Sequence, residues 1–197
     1  MSPLEIAAVV ITLAAVYLTT RQVIACWPLA MVGVALYGLV FYEAKLYADM
    51  GLQGLYFAMS AYGWWAWSHG GEGGGELPVS RTTRGAWLLL AGGGALASIT
   101  LGQTLSRTTD ASLPFLDSTL TAFSVVAQWM QTRKQLDAWA IWIVLNVFYV
   151  GMFLYKELYP TAGLYAVFIV LAVSGFIQWR RSMNTSENGS GLAAARS

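Results

Sequence analysis

The chain has little charge and few of the side chains that enzymes and metal sites use. Charged residues make up 11% of its 197 residues, against roughly 25% in soluble domains, so an ordinary soluble protein is excluded. The single cysteine, Cys26, leaves no partner for an internal disulfide. The only histidine, His69, has no second histidine or cysteine nearby. We therefore expect neither a metal site nor a cofactor.

The charge that is present is almost balanced, which bears on possible partners. Eleven Lys and Arg residues stand against ten Asp and Glu residues, for a net charge of +1, so no basic surface favours nucleic acid. No nucleophile, base and orienting group coincide, which argues against an enzyme. The glycine-rich stretch SHGGEGGGELPVSRTTR has no Lys-Ser or Lys-Thr pair after its glycines, so a flexible linker is favoured over a phosphate-binding loop.

Long apolar segments are what the sequence has in quantity. Hydrophobic residues make up 57% of the chain, and seven segments are long enough to cross a hydrocarbon core of about 30 Å as helices. We predict an all-α integral membrane protein, with the first segment retained rather than cleaved as a signal peptide. The predicted spans are residues 4–20, 25–42, 49–67, 86–105, 114–131, 138–155 and 161–179.

The sequence also repeats itself. Residues 27–67 align with 139–179 without a gap and share ten identical positions, which indicates a duplication. The same register also pairs Thr20 and Arg21 with Thr132 and Arg133. We call two residues equivalent when this register pairs them. Among the identical pairs are Trp27 with Trp139, Tyr37 with Tyr149, Phe41 with Phe153, Gly63 with Gly175, and Trp67 with Trp179.

Two repeats of three spans need one extra crossing between them if both are to have the same orientation. The fourth span supplies that crossing, so we predict a 3+1+3 arrangement of parallel repeats, a design found in transporters, with a substrate site near the midplane. The predicted parts are a first repeat over 1–68, a flexible cytoplasmic loop over 69–85, a linking helix over 86–106, a second repeat over 114–181 and a disordered cytoplasmic tail over 182–197.

The distribution of cations predicts the orientation. Loops on the side of the N-terminus carry three Lys and Arg residues, and the opposite side carries eight. The positive-inside rule then places the N-terminus outside and the C-terminus in the cytoplasm of a cell whose inner (plasma) membrane holds the protein.

Three spans carry polar or aromatic stripes at helical spacing, and polar side chains in a membrane normally face the bundle interior. On the sixth span Trp139, Trp142, Asn146, Tyr149 and Phe153 share a face. The other stripes are Asp49, Gln53, Tyr56, Ser60 and Trp64 on the third span, and Asp117, Thr121, Ser124 and Gln128 on the fifth. Helix packing is an equal alternative for the Ser and Thr residues. The predicted substrate-binding residues are Trp139, Trp142, Asn146, Tyr149, Gln53, Tyr56 and Gln128.

The stretch WAIWIVLN resembles the WxxWxxxN motif of the PnuC-type nicotinamide riboside transporters, in the Pnu family of B-vitamin precursor transporters. The resemblance extends over residues 4–181, including FYEAKLYADMGLQ, YGWWAW and LYAVFIVLAVSGFIQWRR. It implies a bundle distantly akin to the SWEET sugar transporters, a homotrimer, and import of nicotinamide riboside by facilitated diffusion. Carried over by position, it also implies that Trp139, Trp142 and Asn146 contact the substrate.

Two alternatives stay open from the sequence. Related family members accept thiamine or other vitamins, so thiamine remains a second candidate substrate. Proton coupling also remains possible, because Asp49 and Asp117 are groups that could titrate.

Overall fold

The protein is a bundle of α-helices. The computed structural model describes residues 3–43, 45, 47–108 and 113–194, and within them the chain forms seven α-helices joined by short turns and one longer loop. The helices are α1 (Pro3–Thr20), α2 (Cys26–Glu43), α3 (Tyr47–His69), α4 (Arg84–Thr108), α5 (Pro114–Thr132), α6 (Asp137–Tyr155) and α7 (Tyr159–Ala194). The prediction of an all-helical chain with seven helices is confirmed.

Five of these helices, among the described residues, are long and apolar enough to cross a membrane: α1, α2, α4, α6 and α7. The other two, α3 and α5, carry the polar stripes and pack against each other. Tyr56 of α3 and Ser124 of α5 are joined by a hydroxyl-to-hydroxyl hydrogen bond at this contact. The two helices outside this group of five therefore direct polar groups at one another, as expected when lipid offers no hydrogen-bond partner.

Equivalent residues of the two halves make the same contacts. The Trp67 indole N–H donates to the Gln131 carbonyl at 3.1 Å, and the equivalent indole of Trp179 donates to the Thr19 carbonyl at 3.0 Å. The two acceptors, Thr19 and Gln131, are themselves equivalent. The first bond joins α3 to α5 and the second joins α7 to α1.

Four tryptophans form one cluster across the two halves. The rings of Trp27 and Trp67 pack edge to face with centroids 5.2 Å apart, and those of Trp139 and Trp179 pack edge to face with centroids 5.4 Å apart. Trp67 and Trp179 lie 5.5 Å apart, so the two pairs touch. Edge-to-face contact between indoles at these distances is favourable beyond the area that it buries.

The turns also match. Left-handed backbone occurs at Gln22 (φ 58°) and at Lys134 (φ 53°), and again at Lys45 (φ 59°) and Glu157 (φ 58°). Gln22 is equivalent to Lys134, and Lys45 is equivalent to Glu157. The short connections after the first two helices of each half therefore reverse the chain in the same way.

The glycine-rich loop differs from the free linker that the sequence suggests. Leu77 N–H donates to the Trp67 carbonyl at 3.1 Å, and Ser80 exchanges two main-chain hydrogen bonds with Lys134 and Leu136. The Asp137 carboxylate accepts from Thr82 N–H at 2.8 Å. These bonds hold the loop against the turn between α5 and α6, because main-chain groups near a membrane surface still require partners.

Residues 182–194 of the predicted disordered tail are helical, and residues 195–197 of that tail lie outside the described residues. Helix α7 continues past Arg181 to Ala194, and the Thr185 hydroxyl donates to the Arg181 carbonyl at 3.0 Å. No proline interrupts this segment, and continuing the helix supplies partners for carbonyl groups that a helix end would leave free.

We expect the two glycines under the tryptophan cluster to be required for stability. A Cβ at Gly63 would lie 2.5 Å from the Trp27 ring, and one at Gly175 would lie 2.6 Å from the Trp139 ring. Gly63→Ala and Gly175→Ala should each destabilise the protein by about 1 to 3 kcal/mol through overpacking. Thermal unfolding of the purified protein in detergent would measure this.

Gly51→Ala and Gly163→Ala are the matched controls, at equivalent positions on the same two helices. A Cβ at either position meets no atom within 4 Å, so these changes should be neutral or stabilising by up to about 1 kcal/mol. Equal melting temperatures for all four variants would contradict the close packing of glycine on tryptophan.

Candidate functional site

Helix α6 presents Trp139, Trp142, Asn146 and Tyr149 to the bundle interior, whereas its Phe148 and Tyr155 are exposed. It begins at Asp137 and ends at Tyr155, and Asn146 lies at its midpoint, roughly 14 Å from either end at 1.5 Å per residue. The Asn146 side chain is buried, with 5% of its surface exposed. Among the described residues we find no hydrogen-bond partner for its amide. An unpaired amide at the centre of an apolar helix is costly unless a ligand or water completes it.

Trp142 lies one turn before Asn146 and has a defined partner. Its indole N–H donates to the Gln131 side-chain oxygen on α5 at 2.8 Å. Gln131 is 7% exposed, and its main-chain carbonyl accepts the Trp67 indole. One glutamine therefore joins Trp142 to the tryptophan cluster and fixes the orientation of the indole ring.

Gln131 was not among the residues predicted for the site. It lies three residues after Gln128 and so continues the stripe of Asp117, Thr121, Ser124 and Gln128 on α5. Extending that stripe by one more turn would have identified it. Gln128 itself is half-buried on α5.

Trp139, the first tryptophan of the motif, faces the tryptophan cluster in this conformation. It is 1% exposed, and its ring lies over Gly175 and against Trp179. Its indole N–H is buried without a hydrogen-bond partner in the described part of the chain, as is that of Trp27 at the equivalent position. The absence of a side chain at Gly175 makes room for this ring, so the contact with the cluster dominates its placement.

Tyrosines gather on the other side of Asn146. Tyr149 packs against Tyr165 with ring centroids 4.7 Å apart, and Phe153 packs against Tyr165 at 5.1 Å. The Asp117 carboxylate and the Tyr56 hydroxyl lie within electrostatic range of both Tyr149 and Tyr165. Tyr56 and Tyr149, both predicted for the site, thus lie within electrostatic range of each other, and Tyr165, which no stripe had included, packs against Tyr149.

Gln53 lies apart from this group. Its Cβ is 3.9 Å from the position that a Cβ on Gly38 of α2 would occupy. Gln53 is equivalent to Tyr165, so it holds the corresponding place in the first half of the chain.

A buried lysine lies beneath the tryptophan cluster, in the turn between α5 and α6. The Lys134 ammonium lies 4.8 Å from the centre of the Trp67 ring, a cation–π contact. Burial lowers the pKa of Lys134, and the charge of Glu76 acts in the opposite direction. The first half has Gln22 at this position, so the cation is present in one half only.

The site as a whole is aromatic and amide-rich, and it is enclosed by helices. In the described residues no group of three or more His, Cys, Asp or Glu side chains is placed to hold a metal ion. Apolar outer faces around a polar, aromatic interior define a multi-pass membrane protein of the kind that carries small molecules.

The chain belongs to the nicotinamide mononucleotide transporter family, whose family model matches residues 2–181. It is 24% identical to the nicotinamide riboside transporter PnuC of Escherichia coli K12, over 92% of this chain and 87% of that protein. It is 26% identical to the nicotinamide riboside transporter PnuC of Neisseria mucosa, over 77% and 62% of the two chains. The resemblance to PnuC-type transporters noted in the sequence is confirmed.

Two further relatives define the range of the likeness. The riboflavin/roseoflavin transporter RibM of Streptomyces davaonensis is 27% identical over 81% of this chain and 76% of its own. A crystal structure of the vitamin B3 transporter PnuC superposes with a TM-score of 0.72, covering 92% of this chain and 82% of that one at 24% identity. The fold is therefore shared with that transporter.

We expect the unpaired amide and the anchored indole to be needed for ligand binding. Asn146→Leu should weaken the binding of nicotinamide riboside about 10- to 100-fold, because an unpaired buried polar group costs about 1 to 3 kcal/mol. Gln131→Met should also weaken binding, since it leaves the Trp142 N–H without its partner. Calorimetry on the purified protein in detergent would measure both.

Val147→Leu is the matched control, since it introduces the same side chain one residue along α6 on an exposed face. It should bind like the parent. If Asn146→Leu also binds like the parent, the interior face of α6 is packing and the ligand lies elsewhere.

Proposed function

We propose that this protein imports nicotinamide riboside by facilitated diffusion, through a midplane site between the two halves of the chain. The observation that carries the proposal is the amide of Asn146, a buried residue whose side chain has no hydrogen-bond partner among the described residues, one turn from the anchored indole of Trp142. The riboside contains a flat cationic ring, a carboxamide and ribose hydroxyls. Aromatic faces attract such a ring by about 0.5 to 2 kcal/mol each, and an amide side chain can donate to and accept from the carboxamide at once.

The charges around the site favour a riboside over a mononucleotide, although the family is described by the mononucleotide. Helices α3, α5 and α6 contain no Lys or Arg, and the first arginine of α7 follows Tyr165 by fifteen residues. A phosphate brought there would have no cation to neutralise it, and burying an unpaired charge is costly. The Asp117 carboxylate near the tyrosines would repel a phosphate and attract a cationic ring.

The architecture that we propose is two parallel three-helix repeats joined by α4, as in the SWEET transporters. Support comes from the matched indole bonds, the matched turns and the helix contacts, in which α3 meets α5 and α7 meets α1. Swapping the two halves of the chain converts the α3–α5 contact into the α7–α1 contact, as a two-fold axis along the membrane normal would. Such an axis places the site where the repeats meet.

The orientation that we propose follows from the cation count, with the N-terminus outside and the C-terminus in the cytoplasm, in the inner membrane of the cell. Lys134, Arg133, Arg180 and Arg181 would then lie on the cytoplasmic side. A reporter fused after Ser197 that was active only outside would contradict this. We also propose a homotrimer, which the mass of the purified complex would test.

A second candidate substrate is another vitamin, thiamine or riboflavin. This alternative is supported by the 27% identity to a riboflavin/roseoflavin transporter. A related chain therefore transports a molecule whose ring system is larger than that of nicotinamide riboside. Thiamine also contains a cationic ring that aromatic faces would attract. Coupling to protons through Asp49 and Asp117 is the alternative to uncoupled diffusion.

Uptake into proteoliposomes tests substrate and mechanism together. Labelled nicotinamide riboside should enter until inside and outside concentrations are equal, whatever pH difference is imposed, because an uncoupled carrier cannot move its substrate uphill. Thiamine, riboflavin and the mononucleotide should enter far more slowly. Liposomes without protein and liposomes carrying Asn146→Leu are the controls.

Two results would overturn parts of this proposal separately. Accumulation above the external concentration under a proton gradient would show coupling and leave the substrate assignment standing. Faster uptake of thiamine or riboflavin than of the riboside would reassign the substrate and leave the mechanism standing.

A further inference from the structure

An open groove runs along the outer surface between α1 and α7, away from the candidate substrate site. It has a volume of about 520 Å³. It is lined by Arg21, which follows α1, and along α7 by Val170, Val173, Ser174, Ile177, Gln178 and Arg181 in that order, so that Val170 and Arg181 stand at opposite ends. An apolar end and a cationic end are therefore separated along its length.

The polar part of the groove holds two guanidinium groups. Arg21 follows the last residue of α1, and its guanidinium lies 5.6 Å from the centre of the Tyr17 ring. Neither Arg21 nor Arg181 forms a salt bridge with any residue that the structure describes. The Gln178 amide donates to the Ser174 hydroxyl at 2.8 Å, which adds an uncharged polar wall beside them. Two unpaired guanidiniums facing one groove are suited to a phosphate group.

The apolar part lies where lipid chains would surround the protein. Val170, Val173 and Ile177 are exposed by 67%, 40% and 44%. Val170 precedes Arg181 by eleven residues, which is roughly 16 Å along a helix. A charged end and an apolar end at this separation match the headgroup and upper acyl chain of a phospholipid.

The equivalent surface in the other half of the chain is filled. Tyr62, which is equivalent to Ser174, stacks on Trp129 with ring centroids 5.3 Å apart. The Arg133 guanidinium donates to the Tyr62 hydroxyl at 2.7 Å, so this arginine already has a partner. The open groove exists because serine stands at position 174, where the other half has tyrosine.

We propose that the groove between α1 and α7 binds an anionic phospholipid, with its phosphate held by Arg21 and Arg181 and one acyl chain lying along Val170, Val173 and Ile177. Anionic lipids are concentrated in the cytoplasmic leaflet, where the proposed orientation places both arginines. The lipid would cover a surface that the protein leaves exposed and would tie the end of α1 to α7.

Lipid binding to the delipidated protein in detergent tests the proposal. Phosphatidylglycerol, added during native mass spectrometry and thermal unfolding, should bind and raise the melting temperature. Phosphatidylcholine and inorganic phosphate should do so weakly. The double variant Arg21→Gln with Arg181→Gln should bind phosphatidylglycerol about 10- to 30-fold more weakly, since each arginine near a membrane surface contributes about 1 kcal/mol.

Two further variants separate a built groove from general attraction to positive charge. Arg180→Gln removes the same charge as Arg181→Gln, but from a neighbouring residue that does not line the groove. Arg180→Gln should therefore weaken phosphatidylglycerol binding clearly less than Arg181→Gln does. Ser174→Tyr keeps every cation but fills the groove with the side chain that the other half has at the equivalent position, Tyr62. It should lose phosphatidylglycerol binding while melting within a few degrees of the parent in lipid-free detergent.

Three outcomes would overturn the proposal. If phosphatidylcholine stabilises the protein as much as phosphatidylglycerol does, the groove binds acyl chains without selectivity for the headgroup. Equal effects of Arg180→Gln and Arg181→Gln would show general electrostatics. Dissociation of the lipid-free oligomer by Ser174→Tyr would show that a second copy of this chain occupies the groove.

Discussion

Two hydrogen bonds from an indole N–H to a main-chain carbonyl, each with its donor in one half of the chain and its acceptor in the other, hold the two halves together. Trp67 on α3 reaches the carbonyl of Gln131 on α5, and Trp179 on α7 reaches that of Thr19 on α1. Both carbonyls lie near the ends of their helices, where main-chain acceptors need partners. Because lipid offers none, these bonds tie distant parts of the sequence in a fixed register.

Glycine makes this arrangement sterically possible. Gly63 and Gly175 leave room for the rings of Trp27 and Trp139, so each tryptophan pair packs against a bare helix surface. In a bilayer, helices associate through close packing rather than through the hydrophobic effect, and small residues at the contact are what allows it. The tryptophan pair with its glycine is thus a structural frame repeated in both halves.

The proposed binding face arises where the two halves differ within that frame. Gln131 and Thr19 both accept an indole with their carbonyl groups, but their side chains diverge. The Gln131 amide reaches across to Trp142, whereas the Thr19 hydroxyl donates back to the Ala15 carbonyl of its own helix at 2.8 Å. A symmetric frame with one-sided polar groups suits an asymmetric small molecule.

Much of this was predictable from periodicity, because membrane helices must be long, apolar and polar only on interior faces. The seven helices and the stripes of α3 and α5 follow from it, and the internal repeat supplied the register that pairs Trp67 with Trp179. Which residues each side chain contacts on a neighbouring helix could not be predicted in this way. Trp139 and Trp142 share a helical face, but their surroundings differ. Trp139 packs over Gly175, whereas Trp142 donates to the Gln131 side chain. The loop after α3 looked free because main-chain bonds, such as those of Ser80 with Lys134 and Leu136, leave no trace in residue type.

The most direct test of the account is a structure of the protein with nicotinamide riboside bound. The account predicts the pyridinium ring against the Trp142 indole, with the carboxamide within hydrogen-bond distance of Asn146 near the middle of α6. A bound riboside whose carboxamide lies away from Asn146, with the Asn146 amide still unpaired, would contradict it.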